Sequence, residues 1–248
     1  MSVPKIHTHL LPSLIPPQVL SGTTAVVIDV LRATTTAVAA LAAGASGLIP
    51  TQTIEEANAL ADQLNPRPLL GGERGGLPID GFDLGNSPAA YGKNVQGRWI
   101  VFTTTNGTKA IHACKDAASV ILAAFTNLSA ICDRLAHCHR IHLVCAGTHG
   151  HITQEDVLLA GAILDQLTGG NEHSLELNDE SRLALDSWKA QAGQWTGKSW
   201  LVDRLRISHG GQNLLKTGQE ADVSLASQID QATVIPVWNR PENRITCG

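Results

Sequence analysis

The chain has 248 residues, 43% hydrophobic and 16% charged, with 23 Gly and 11 Pro. That length supports one large domain or two small ones around a substantial core, and the composition excludes a disordered or coiled-coil protein. A formal net charge of -4 counts against a nucleic-acid binder, which usually carries a basic face, so any anionic ligand must be held by local groups.

The chain opens on MSVPKIHTHLLPSL, which lacks the basic and apolar regions of a secretory signal, and no later stretch reaches a membrane-spanning length. The cytoplasm is the expected compartment, with no membrane or nucleic-acid partner. His7 and His9 are placed in a terminal arm. TAVVIDV (24–30) reads as a buried strand and TTAVAALAAGA (35–45) as an Ala-rich helix ended by Gly44. GLIPTQ (47–52) is a second strand. TIEEANALADQL (53–64) is an amphipathic helix with Thr53 as N-cap and Glu56 three residues on.

The alternation continues through RPLLGGE (67–73), RWIVFTTT (98–105), GTKAIHACK (107–115), ASVILAAF (118–125), NLSAICDRLA (127–136), RIHLVCAG (140–147) and QEDVLLAGAILDQL (154–167). Near-continuous apolar strands separated by helices imply a mostly parallel sheet covered on both faces, a three-layer α/β/α fold. After Leu167 two consecutive helices are expected, DESRLALDSWKAQA (179–192) and KSWLVDRLRIS (198–208), then a strand TVIPVW (233–238). The expected organisation is one domain over 1–248. Two α/β lobes divided near 90–100, or a helical C-terminal part over 171–230, remain open.

In such a sheet, ligands bind beyond the carboxyl ends of the strands. At the first of these ends VIDVLRATTT supplies Asp29, Arg32, Thr34 and Thr35 to a helix start that can take phosphate or sulfonate oxygens. The plainer alternative has Asp29 capping the helix and Arg32 pairing with it. Gly71-Gly72-Glu73-Arg74-Gly75-Gly76 could bring a backbone close to a ligand, with Glu73 facing a metal and Arg74 an anion; it fits neither the P-loop nor the dinucleotide fingerprint. The Gly/Pro-rich span 71–88 reads as a site loop.

Thr103-Thr104-Thr105-Asn106-Gly107-Thr108-Lys109 forms a second oxyanion cradle. Cys145-Ala146-Gly147 is followed by Glu155-Asp156, of which only one is expected to reach the site because adjacent helix residues diverge by about 100°. Asp29, Glu73, and Glu155 or Asp156 are candidate ligands for Mg²⁺, which takes one or two carboxylates and completes its shell with water and phosphate oxygens. Arg32 and Arg74 would stabilise charge on a transferred phosphoryl group.

Two familiar phosphatase patterns fail on spacing. The aspartyl-phosphate type needs an acid two residues after Asp29, where Leu31 stands, and the cysteine type needs Arg six positions after Cys145, where His151 stands. His149 and His151 have ligand-like spacing but also read as exposed loop histidines. The five cysteines, Cys114, Cys132, Cys138, Cys145 and Cys247, form no C-x-x-C pair and are expected to be reduced.

Taken together, VIDVLRATTT, GGERGG, GFDLGNSP, TTTNGT and the CAG…ED pair resemble the 2-phosphosulfolactate phosphatase family. The resemblance runs from about residue 25 to residue 165 and extends to Gly218-x-x-x-Asp222. It implies an α/β/α fold of its own type, a Mg²⁺ requirement and hydrolysis of (2R)-2-phospho-3-sulfolactate to 3-sulfolactate and phosphate.

By motif the resemblance carries Asp29, Arg32, Thr34, Thr35, Glu73, Arg74, Asn86, Thr104, Asn106 and Glu155 into the site; the cradle adds Thr105 and Gly107, and the acidic pair adds Asp156. Whether metal-bound water, Asp29 or Cys145 attacks stays open, as do another small 2-phospho-hydroxy acid as substrate, a catalytically silent anion-binding module, and assembly as a homodimer.

Overall fold

A computed structural model describes residues 3–171, 174–192 and 199–248. Ten strands form one sheet among these residues, in the order β4-β5-β3-β10-β9-β6-β2-β7-β1-β8. They are β1 (Lys5–His9), β2 (Thr24–Ile28), β3 (Gly47–Thr51), β4 (Leu69–Gly72), β5 (Trp99–Thr103), β6 (Ser119–Ala123), β7 (Arg140–Cys145), β8 (Glu176–Leu177), β9 (Pro236–Asn239) and β10 (Arg244–Cys247). Strands β4, β5 and β3 are parallel to one another, as are β6, β2, β7, β1 and β8. The antiparallel hairpin β9–β10 joins the two groups at the centre of the sheet.

Alternating side chains of β2 divide the core, as the pleat requires. Val26 and Ile28 face one apolar layer with α4 (Leu128–Leu135) and α5 (Gln154–Thr168). Ala25 and Val27 face the other, with α1 (Ala33–Ala42) and α3 (Gly107–Ala113). Helix α2 (Ile54–Gln63) covers β3, β4 and β5 through Ala57 and Ala61. Its start follows the sequence pattern: Thr53 Oγ1 accepts from Glu56 N at 3.1 Å, while Glu56 accepts from Gln52 N at 2.9 Å.

Further helices follow in the C-terminal third: α6 (Asp179–Ala192), α7 (Trp200–Ile207), α8 (His209–Lys216) and α9 (Ala221–Ala226). The expected opening of α7 at Lys198 lies outside the described residues. Helix α6 packs tightly on α5 because Gly161 has no side chain; a Cβ there would lie 2.2 Å from Ala184 O.

The N-terminal arm is a correction. Residues 5–9 are an inserted parallel strand between β7 and β8, and the backbone of Thr8 is held by Asn178 and Ser181. His7 and His9 therefore belong to the sheet. Strands β8 and β10 and helices α8 and α9 are also absent from the expected pattern.

Candidate active site

Parallel register brings the expected turns to one edge. Ile28 pairs with Cys145, so Asp29 and Ala146 leave the sheet together; Gly72 pairs with Thr103, so Glu73 and Thr104 do the same. The close approach at the second pair depends on Gly72, where a Cβ would lie 1.9 Å from Thr103 O.

After β2 the chain folds over Asp29. Its Oδ1 accepts from Ala33 N at 3.1 Å at the start of α1, the capping role of the plainer reading. Arg32 does not pair with it. The Arg32 guanidinium instead meets Asp222 Oδ2 at 2.7 Å, Gln219 Oε1, and Gly76 O at 2.9 Å. The threonine run knits the turn to itself: Thr34 Oγ1 donates to Asp29 O and Thr35 Oγ1 to Val30 O, at 2.8 and 2.7 Å. Both residues are buried and lie outside the cavity wall, so their hydroxyls serve the turn and not the open cavity.

The glycine-rich loop is organised by Glu73. Its carboxylate accepts from Thr105 N at 2.6 Å, Thr105 Oγ1 at 3.0 Å and Gly76 N at 2.7 Å, clamping the loop to the second cradle. Arg74 lies outside the cavity wall, donating to Glu73 O, Gln52 O and Thr103 Oγ1. Thr104 is likewise consumed in a reciprocal bond with Thr108. Gly107 opens α3 where a Cβ would strike Ala33 Cβ at 2.3 Å and Asp29 Oδ2 at 2.7 Å. Its value is the close approach of two helix starts around Asp29.

A cavity of about 250 Å³ lies over this edge. That is below the roughly 300–1,000 Å³ of sites for drug-sized ligands and suits a small acid. Of the expected site residues, Asp29, Arg32, Glu73, Asn86, Thr105 and Asn106 line it. Asn86 is buried with no partner for its Oδ1 among the described residues, and Asn106 Oδ1 accepts from His149 N at 3.2 Å. Missed by sequence reasoning are His209, Asn213 and Lys216 of α8, which also line the cavity. The Gly-Gly after His209 masked that helix.

Glu155 and Asp156 sit beneath, both buried. Asp156 Oδ1 accepts from Val30 N at 2.9 Å and Oδ2 from Gly147 N at 3.0 Å, so this residue braces the ends of β2 and β7 instead of offering an open ligand oxygen. Glu155 Oε2 has no hydrogen-bond partner among the described residues. Burial, reinforced by Asp156, raises the Asp29 carboxyl well above its usual range. The same two causes push Glu155 up to about 7, while burial lifts Asp156 to about 6 against the pull of the Val30 and Gly147 N–H groups.

A buried acidic cluster with an unpartnered oxygen is what a hard divalent cation relieves. Among the described residues no three His, Cys, Asp or Glu side chains converge as a ready metal cage. One or two carboxylates, with water and substrate oxygens completing the shell, is the kind of coordination Mg²⁺ accepts. Cys145 is buried outside the cavity wall, and burial with the neighbouring acids raises its thiol well above the ordinary value. A protonated, enclosed thiol is no nucleophile.

A small polar cavity at the carboxyl ends of parallel strands, floored by buried acids, defines an α/β enzyme acting on a small anion. Comparison with known proteins agrees. The family profile described as 2-phosphosulpholactate phosphatase matches residues 9–241. The chain belongs to this family of phosphoric monoester hydrolases.

A relative from Symbiobacterium thermophilum, named "Probable 2-phosphosulfolactate phosphatase", is 41% identical over 226 residues, covering 90% of this chain and 94% of the relative. Relatives of the same name from Deinococcus radiodurans and Thermotoga maritima are 43% and 48% identical; they cover 86% and 64% of this chain, and 86% and 70% of their own lengths. No helix among the described residues is long and apolar enough to cross a membrane.

Proposed function

We propose that the protein is a Mg²⁺-dependent phosphatase that hydrolyses (2R)-2-phospho-3-sulfolactate to 3-sulfolactate and phosphate. The observation that carries this reading is the buried acidic floor of the cavity, with Asp29 in its wall and the unpartnered Glu155 Oε2 below. Asp29 and Glu155 would hold the ion. When bound, Mg²⁺ supplies charge neutralisation and polarisation of a phosphoryl oxygen.

The remaining work falls to the chain. Arg32 is a fixed positive charge at the cavity wall, its fork held by Asp222, Gln219 and Gly76 O before any ligand arrives. A charge held in place in advance stabilises a phosphoryl group without reorganising during the reaction. The Asn86 amide, buried at the wall, offers donors to ligand oxygens. Glu73 keeps Thr105 and the glycine-rich loop in register beside it. Water adds its oxygen to phosphorus, the bond from phosphorus to the C2 oxygen breaks, and that oxygen leaves protonated as the 2-hydroxyl. A silent anion-binding module is disfavoured, because buried carboxylates under the ligand would weaken binding of a polyanion.

The test is phosphate release from phosphosulfolactate, phospholactate and phosphoglycerates, with Mg²⁺ and with chelator. Metal-dependent turnover with preference for phosphosulfolactate supports the reading. Preference for another of these acids overturns the substrate, and absence of metal-dependent turnover on all of them overturns the enzyme.

A further inference from the structure

We propose that His209, Asn213 and Lys216 of α8 are the specificity determinant for the sulfonate of the substrate. The inference rests on the phosphatase reading above for where the phosphate lies.

The spacing 209, 213, 216 places three polar side chains along one helical face. All three line the cavity and are its polar α8 lining, alongside Gly210 and Leu214, which with Gly211 form the buried side of the helix. The stripe is held firmly. Ser208 Oγ caps α8 by accepting from Gly211 N at 3.2 Å. A Cβ on Gly211 would lie 1.9 Å from Leu205 O, and one on Gly210 would lie 2.1 Å from Glu155 Oε1. The two glycines thus draw α8 onto α7 and onto the acidic floor, and this close seating fixes the stripe at the cavity mouth.

Charge distribution then separates the ends of a substrate with three anionic groups. The floor is acidic, so it accepts the phosphate only together with a cation. Arg32 is engaged by Asp222, Gln219 and Gly76, and Arg74 points elsewhere. Among the described residues, the Lys216 ammonium and the His209 ring have no hydrogen-bond or ion-pair partner; the His209 ring has only the tilted His151 ring beside it, 6.3 Å between centroids, so both keep N–H donors for a ligand at the wall. A sulfonate is a permanent anion with three acceptor oxygens. An ammonium, an imidazole N–H and an amide NH₂ on one face match it in charge and number of donors.

The experiment compares phosphosulfolactate with phospholactate, which lacks only the sulfonate, in the wild type, Lys216→Met and Lys216→Arg. In Lys216→Met the kcat/KM preference for phosphosulfolactate falls about tenfold, mostly through KM, as expected for loss of one charged hydrogen bond. Lys216→Arg keeps most of the preference. An unchanged preference, or an equal loss on both substrates, overturns the assignment.

Calorimetric titration with 3-sulfolactate separates this from failure of the phosphatase reading. If the wild type turns over neither substrate, weaker 3-sulfolactate binding in Lys216→Met still supports the sulfonate site. Equal binding by both proteins, or binding by neither, overturns it.

Discussion

Arg32 and Asp222 meet at 2.7 Å across 190 residues of chain, with side chains only 2% and 4% exposed. Asp222 also accepts from Ser87 Oγ at 2.6 Å, so one carboxylate ties the turn after β2, the long loop and α9 together. Breaking such a pair from one side leaves a buried charge uncompensated. Asp222→Asn is expected to lower unfolding stability by about 3–5 kcal/mol, read from urea midpoints. A loss near zero would mean that water reaches Arg32 and that the pair does not organise the site.

The acidic floor sets a second expectation, for the metal-free protein. Glu155 is raised from 4.5 to about 7 and Asp156 from 3.8 to about 6, so the unfolded chain releases these protons first as pH rises. Their stabilising contribution is full below about pH 4 and is lost through about pH 7. In chelator the wild type should lose stability relative to Glu155→Gln across this window, and excess Mg²⁺ should restore the wild type alone. Parallel urea curves for the two proteins at every pH would refute the shift.

The histidine pair works in the opposite sense. His9 Nε2 and His142 Nδ1 are 2.9 Å apart with stacked rings, and burial lowers both, His142 to about 4. A depressed imidazole contributes stability above the ordinary value of 6.5 that is lost as pH falls toward about 4. Ring NMR should show His142 titrating near 4. Titration at the ordinary value would show that β1 does not bury it.

Gly107→Ala tests whether close packing around Asp29 matters. The added methyl meets Ala33 Cβ and Asp29 Oδ2, so α3 or α1 must shift. Overpacking of this kind costs about 1–3 kcal/mol, and phosphatase activity should fall as Asp29 is displaced. Wild-type thermal stability and activity together would show that the two helix starts adjust freely.

The parts of the fold legible in sequence were those with continuous apolar runs. TAVVI, WIVFT and SVILA announce buried strands, and the Thr53 and Glu56 pair announces its helix. β1, written KIHTH, was hidden because its polar Thr8 and His9 are buried by neighbours contributed from 130 residues or more away, Ser181 and His142. The sheet order was equally beyond local pattern, since β10 pairs with β3 across the whole chain.

At the site, the sequence located the turns but not the directions of their side chains. Nothing in GGERGG says that Arg74 bonds Thr103 while Glu73 clamps Thr105, and nothing in RATTT says that its first two threonine hydroxyls close on their own backbone. The α8 wall was missed because two glycines that serve close packing look, in sequence, like a helix breaker.

On the proposed function, Asp29 works at the acidic floor of a Mg²⁺-dependent phosphatase. The most direct test is phosphate release from (2R)-2-phospho-3-sulfolactate by the wild type and Asp29→Asn, each with Mg²⁺ and with chelator. Turnover by the wild type is expected only with Mg²⁺, with a loss of at least about a hundredfold in a folded Asp29→Asn protein. Turnover that survives chelator, or an Asp29→Asn protein as active as the wild type, would contradict that reading.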